Sequence, residues 1–231
     1  MKILICYHST TGNTKTVTLY TRTLFQSLGH QCEVVDITRA PSSELSMEDW
    51  DLVGFASPTL YFRGTFTMER FITNLPPVSG PARPAFLLAT CAGEPGAQFH
   101  LQAETLHHKG YVVTGAHAVI APSNWPMQLA LTDKITWSEP LGRTITRIFR
   151  PSRLLLSALW PALGTPDQKD KSSLDRFVES LASQSIDTPQ AARLPSGLPG
   201  GVLSGKAMTR EKAQKAAGIR IDAATCIGCG I

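Results

Sequence analysis

A hydroxyl-rich loop near the start of the 231-residue chain has the composition of a phosphate site. It reads His8-Ser9-Thr10-Thr11-Gly12-Asn13-Thr14, after a short apolar run and before a segment long enough for a helix. Hydroxyl groups and the backbone N–H groups of a helix start can bind phosphate without a basic side chain. The loop has neither the Walker A spacing nor Gly-x-Gly-x-x-Gly, which disfavours nucleotide hydrolysis and dinucleotide binding. An ordinary turn with a helix N-cap is the alternative.

The elements around this loop predict an α/β fold with a parallel sheet. Five apolar runs, at 2–7, 32–37, 52–56, 85–89 and 111–120, have the length and composition of buried strands. Helices are predicted over 14–28, 66–75 and 97–109, and a further helix over 172–183 completes the outer layer. Strands that alternate with helices in this way favour βαβ units. Ligands of such sheets bind at the carboxyl ends of the strands, which directs attention to loops 8–14, 57–64 and 90–96.

The first loop resembles the FMN phosphate loop of flavodoxins, whose common form is Ser-Thr-Thr-Gly-Asn-Thr. The resemblance covers about residues 1–125 in the order of strands and helices. It implies a flavodoxin-like five-stranded parallel sheet between helices, with a C-terminal extension. It also implies that the ribityl phosphate of FMN is wrapped by Ser9, Thr10, Thr11, Gly12, Asn13 and Thr14.

The second and third loops are the candidates for the flavin ring. Ser57-Pro58-Thr59 resembles the flavodoxin pattern, and Tyr61 or Phe62 could cover one ring face or pack against the following helix. Gly64 permits a backbone rearrangement near the flavin N5. In the third loop, the N–H groups of Thr90-Cys91-Ala92-Gly93 could meet the pyrimidine edge. Cys91 is interpreted as packing, because no Cys-His-Asn or Cys-His-Asp arrangement supports a nucleophile.

Two cysteines close to the end of the sequence resemble the opening of a bacterial ferredoxin cluster motif. Cys226-Ile227-Gly228-Cys229 has the first spacing of C-x₂-C-x₂-C-x₃-C-P, and the third cysteine would fall just beyond Ile231. We therefore expect a truncated member of the fused flavodoxin–ferredoxin (EFR1-type) proteins. In the complete protein, Cys226 and Cys229 would bind a [4Fe–4S] cluster together with the downstream cysteines that are missing here. The alternative is two unpaired thiols on a disordered tail.

The composition and charge of the chain indicate its class and its division into domains. At 42% hydrophobic and 17% charged residues it can bury a core, and a net charge of +4 does not indicate nucleic-acid binding. The sequence predicts a flavodoxin-like domain over 1–185, a Pro/Gly-rich linker over 186–218, and a ferredoxin-type start over 219–231. No 18-residue apolar run occurs, and five scattered cysteines favour a reducing, cytoplasmic location.

A basic segment between 126 and 165 has no assigned role. Arg143, Arg147, Arg150 and Arg153 share one helical face beside apolar residues. An amphipathic helix covering the sheet is preferred over contact with an anionic membrane surface or a partner.

The sequence is compatible with three functions. The first is an electron carrier that exchanges electrons between FMN and a redox partner protein or domain, with no catalytic side chain. The second is an NAD(P)H- or quinone-dependent flavin reductase. The third is a cofactor-less interaction module, against which the intact phosphate loop argues. We expect a carrier rather than a stand-alone oxidoreductase.

Overall fold

The computed structural model describes residues 1–40, 42, 45–121, 166–209 and 211–212. Its strands are β1 (Lys2–Tyr7), β2 (Gln31–Asp36), β3 (Leu52–Leu60), β4 (Arg63–Gly64), β5 (Arg83–Cys91) and β6 (Tyr111–Ile120). Its helices are α1 (Asn13–Ser27), α2 (Phe66–Thr73), α3 (Gln98–His108), α4 (Gln168–Ala182) and α5 (Pro199–Ala207), with a 3₁₀ turn at Met47–Asp49.

Five strands form one parallel sheet in the order β2-β1-β3-β5-β6, and β4 pairs antiparallel with the end of β3. Alternate side chains of each strand enter two separate cores, because successive residues of a strand point to opposite faces. Leu4 and Cys6 of β1 pack with α2 and α3, whereas Ile3 and Ile5 pack with α1 and α4. The predicted five-stranded parallel sheet between helices is confirmed.

The strand β3 continues four residues beyond its predicted end. Ser57 and Pro58 still pair with β5, opposite Ala89 and Thr90. The next two residues, Thr59 and Leu60, pair with β4. The second candidate loop is therefore mostly strand, and only Tyr61 and Phe62 remain between β3 and β4.

The outer helix α4 begins earlier than predicted. Asp167 accepts hydrogen bonds from the backbone N–H groups of Lys169 and Asp170, and the Asp170 side chain accepts from the Asp167 N–H. This reciprocal capping box provides acceptors for backbone N–H groups that have no partner within the helix, so the helix begins at Gln168. Tyr20 of α1 donates to Asp175 across a 2.7 Å hydrogen bond and joins the two helices of this face.

Part of the predicted linker, from Ala192 to Met208, contacts the domain. The Ala192 N–H donates to the Val113 carbonyl of edge strand β6, and Leu194 packs on the core beneath α2 and α3. The Pro/Gly-rich stretch 195–201, predicted to be flexible, runs into helix α5, and it contacts Glu94 and Gly96 of the third loop. The domain boundary near residue 185 stays a prediction. Among the described residues, no helix has the length and apolar character needed to cross a membrane.

Candidate functional site

The three predicted loops follow adjacent strands of the sheet. β1 lies beside β3, and β3 lies beside β5, all parallel. Their carboxyl ends therefore share one edge of the sheet, next to the point where the strand order reverses between β1 and β3. Loops 8–12, 61–62 and 92–97 meet at this edge, which we call the carboxyl edge.

The phosphate loop presents the amino end of α1 to this edge. Gly12 is the N-cap with φ 94°, a left-handed conformation that favours glycine, and it supplies no capping side chain. The first turn of α1 carries no acidic residue. Thr10 and Thr11 are exposed, while Ser9 Oγ accepts a 3.1 Å hydrogen bond from the Gly12 N–H. The positive end of the helix dipole at this edge would therefore stabilise an anion.

Thr14 connects the first and third loops. Its side chain is 1% exposed, and its Oγ1 lies 2.7 Å from Thr90 Oγ1. One hydroxyl of this pair donates to the other, so the accepting hydroxyl keeps its own proton for a further acceptor. Thr14 therefore differs from Thr10 and Thr11, since its hydroxyl is already engaged inside the protein.

The turn between β3 and β4 is strained. Tyr61 and Phe62 have φ values of 51° and 61°, in the left-handed region that bulky side chains rarely adopt. Two-residue hairpin turns of this kind favour Asn-Gly. The aromatic side chains are nevertheless 54% and 42% exposed, so solvent rather than a core surrounds much of each ring. Residues with backbone strain of this kind cluster at active sites and ligand-binding loops.

A buried network of two glutamines holds the end of β3. Gln98 Nε2 donates to the Ser57 carbonyl at 3.2 Å and to Ser57 Oγ at 3.0 Å, while its Oε1 accepts from Thr59 at 2.6 Å. Gln102 Nε2 donates to Ser57 Oγ at 3.3 Å, and its Oε1 has no hydrogen-bond partner among the described residues. The predicted ligand Ser57 is fully buried, so its hydroxyl supports the loop from inside.

Gly64 lies in β4 against this network. A Cβ atom there would stand 2.5 Å from Gln102 Nε2, so a larger residue would displace the Gln102 amide from its present position. Its φ is not in the left-handed region, which Tyr61 and Phe62 occupy instead. The predicted rearrangement at Gly64 stays a prediction.

The third loop begins with buried residues. Thr90 and Cys91 end β5, Ala92 is half-buried, and Gly93 is exposed. Burial raises the pKa of the Cys91 thiol to about 12, although a hydrogen bond with the Gly93 backbone opposes this shift. A thiol with this pKa stays protonated at neutral pH and is a poor nucleophile.

His8 is a residue of the site that the sequence did not single out. Its side chain is buried, and Nδ1 lies 3.0 Å from Oγ1 of Thr65, the N-cap of α2. Thr65 Oγ1 also accepts from the Met68 N–H. His8 thus ties the phosphate loop to the helix that follows the aromatic turn. Burial lowers the pKa of His8, and the nearby Asp36 opposes this shift.

We expect the stability of the protein to fall as the pH is lowered from 7.5 to 5.5. Burial lowers the pKa values of His8, His30 and His117 in the folded state. The unfolded state, with an ordinary histidine pKa of about 6.5, then takes up more protons as the pH falls through that value. The free energy of unfolding, measured with urea at each pH, should decrease accordingly.

The His8→Gln variant should show a smaller decrease, because one of the three contributions is absent. His108→Gln, at an exposed position, is the matched control and should retain the full decrease. An unchanged pH dependence in His8→Gln contradicts this account of His8.

The predicted metal ligands Cys226 and Cys229 lie outside the described residues, and so does the basic segment 126–165. Within the described part of the chain, no group of three or more His, Cys, Asp or Glu side chains could hold a metal ion. Cys6, Cys32 and Cys91 are free and buried there.

No family model and no curated protein matches the sequence. Solved structures do match the fold. Flavodoxin 2 from Bacillus cereus superposes with a TM-score of 0.53 at 15% identity, over 79% of this chain and 98% of that one. A flavodoxin from the domain Archaea matches with a TM-score of 0.51 at 16% identity, over 81% and 100% of the two chains.

A larger protein contains the same fold as one part. Rubredoxin:oxygen oxidoreductase from Desulfovibrio gigas matches with a TM-score of 0.51 at 14% identity, over 78% of this chain and 35% of that protein. These likenesses establish that the chain has a flavodoxin-like fold.

Proposed function

We propose that the chain binds FMN non-covalently at the carboxyl edge and serves in electron transfer. The observation that carries this proposal is the amino end of α1 with two exposed threonines before it, at the same edge as two exposed aromatic side chains. FMN consists of a phosphate group, a ribityl chain and a flat ring, which this combination of groups suits. The flavodoxin-like fold supports the same ligand.

Different loops would bind different parts of FMN. The phosphate would be held by Ser9, Thr10, Thr11, Gly12, Asn13 and Thr14, and the ring by Ser57, Pro58, Thr59, Tyr61, Phe62, Gly64, Thr90, Cys91, Ala92 and Gly93. The flavin supplies one- or two-electron redox chemistry when bound. The chain would bind and orient it, and the buried glutamine network holds the end of β3, which carries predicted ring-binding residues. No side chain needs to act as an acid or base.

The identity of the released cofactor tests this function. The purified protein should be yellow, and denaturation should release FMN rather than FAD or riboflavin. Anaerobic titration with NADPH, followed at the flavin absorption bands, separates a carrier from a reductase. A carrier stays oxidised until a redox partner is added, whereas direct bleaching by NADPH supports the reductase. Protein that neither contains nor takes up flavin contradicts the proposal and favours an interaction module.

We further propose an iron–sulfur module as the redox partner domain. The spacing of Cys226 and Cys229 supports it, and iron–sulfur clusters take cysteine thiolates as ligands. Cys6, Cys32 and Cys91 are buried in the domain, so the described residues offer no further accessible thiol. In a protein that carries the whole cluster motif, Cys226→Ser should abolish the charge-transfer absorption of the reconstituted cluster. An intact cluster in that variant removes the assignment.

We predict opposite effects of Tyr61→Gly on stability and on FMN binding. Glycine relieves the left-handed strain, which should raise the free energy of unfolding of the apoprotein by about 1 kcal/mol. Loss of an aromatic contact of about 0.5–1.5 kcal/mol should weaken FMN binding by up to about tenfold. Urea unfolding and fluorescence titration measure the two effects.

Tyr61→Ala is the matched control, because it removes the ring but keeps a Cβ atom in the left-handed region. It should weaken FMN binding as much as Tyr61→Gly without the gain in stability. Equal stability of the two variants would show that the turn stores no strain at Tyr61.

A further inference from the structure

Helix α5 docks on two of the three candidate flavin loops. Its buried residues are Gly201 and Gly205, one helical turn apart on the same face. A Cβ atom at Gly205 would overlap the Phe62 carbonyl, and one at Gly201 would overlap the Glu94 carboxylate. At Gly205 the obstacle is backbone, so only glycine fits there, whereas at Gly201 a larger residue would displace the end of the Glu94 side chain. The Phe62 carbonyl itself accepts a 2.7 Å hydrogen bond from the Ala97 N–H, which joins the two loops beneath α5.

The two loops also match the ends of the helix dipole. The Glu94 carboxylate accepts a hydrogen bond from the N–H of Leu198, the N-cap of α5. The Arg63 guanidinium donates to the carbonyl of Met208, the C-cap. Arg63 is fixed by a bidentate pair with Glu69, with N–O distances of 2.8 and 2.7 Å. An anion at the amino end and a cation at the carboxyl end both stabilise a helix.

This helix has little stability of its own. It spans nine residues, three of which are glycines, and isolated helices of that length and composition do not persist in water. The described contacts bury none of its large side chains, since Leu198 and Leu203 are 74% and 69% exposed. Its folding therefore depends on its docking, and the docking depends on the arrangement of loops 61–63 and 94–97.

We infer that α5 is a strap whose docking is positively coupled to occupation of the flavin site. This inference rests on the proposed FMN function. FMN would select the loop arrangement in which the Phe62 carbonyl bonds to Ala97 and Tyr61 stays exposed, and α5 requires that arrangement. By linkage, docking of the strap strengthens FMN binding by the same factor by which FMN stabilises the strap. When FMN is bound and the strap is docked, Met208 at the end of α5 is held next to Arg63, beside the flavin site.

Trypsin cleavage after Lys206, followed by mass spectrometry, tests the strap in the full chain. Lys206 lies within α5, so cleavage there needs local unfolding of the helix. Saturating FMN should slow the cleavage by about fivefold or more. Gly205→Ala should speed it and weaken FMN binding, because the methyl group overlaps Phe62. Gly200→Ala, where nothing lies within 4 Å, should slow it or leave it unchanged, because alanine favours helix.

The outcomes separate the docking from the function. Slower cleavage in both alanine variants overturns the docking, since helix propensity alone would then decide. Faster cleavage on addition of FMN overturns the coupling and shows that strap and cofactor compete. A chain that binds no FMN overturns the proposed function and the coupling together. Opposite effects of the two variants without FMN would even then establish the docking by itself.

Discussion

Riboflavin is expected to bind at least on the order of 100-fold more weakly than FMN. The two ligands share the ring and the ribityl chain and differ only in the phosphate, which the amino end of α1 and the hydroxyl-rich loop would hold. Each hydrogen bond to a charged group contributes about 1.5–3 kcal/mol, so two such bonds already account for a factor of about 100. Titration of the apoprotein, followed by the quenching of flavin fluorescence, measures both dissociation constants.

Thr11→Ala assigns this difference to the loop. It should weaken FMN binding by about 10- to 100-fold and leave riboflavin binding unchanged, because in the proposed complex the lost hydroxyl would contact only the phosphate. Thr23→Ala is the control, since Thr23 is exposed near the other end of α1, where its hydroxyl donates to the Leu19 carbonyl. Equal affinity of the parent protein for FMN and riboflavin would remove the phosphate role of the loop.

The sheet could be predicted because its strands are long apolar runs that carry their own signal. The run at 111–120 gave both ends of β6, and the periodicity of Leu174, Val178 and Leu181 indicated α4. The end of β3 could not be predicted in the same way. Ser57 and Pro58 interrupt the apolar pattern, and their place in the strand depends on pairing with Ala89 and Thr90, far along the chain.

The position of the hydroxyl-rich loop at the start of α1 could be predicted, whereas the contacts that support this loop could not. His8 and Thr65 are 57 positions apart in sequence, so only the folded chain brings them together. Helix α5 was hidden by its composition, because glycine and proline indicate a linker when no docking partner is known. The left-handed turn carried no signal, since Tyr-Phe is not a sequence that favours it.

The glutamines did leave a signal in the sequence. Gln98, Gln102 and Leu106 are spaced by four residues, and all three are buried on the inner face of α3. Two polar residues on the stripe that should be apolar indicate buried hydrogen-bond partners. The partners themselves, Ser57 and Thr59, could be identified only after the sheet had placed the end of β3 beneath α3.

Gln98→Glu is expected to destabilise the protein by about 3 kcal/mol at pH 8, since an uncompensated buried charge costs about this much. The Gln98 side chain is fully buried, and its Nε2 faces the Ser57 carbonyl, which would repel a carboxylate. A protonated glutamic acid can still donate there. Folding would therefore raise the carboxyl pKa above its unfolded value, and the variant should lose stability progressively as the pH rises from 5 to 8.

Urea unfolding of the variant at several pH values measures this slope against the parent protein. Gln190→Glu, at an exposed position, is the control and should follow the parent at every pH. A Gln98→Glu variant that is as stable as the parent at pH 8 would show that the buried network does not hold β3. If its FMN affinity falls in step with its stability, the same network also positions the loops of the site, because Gln98 bonds to two of the predicted ring-binding residues, Ser57 and Thr59.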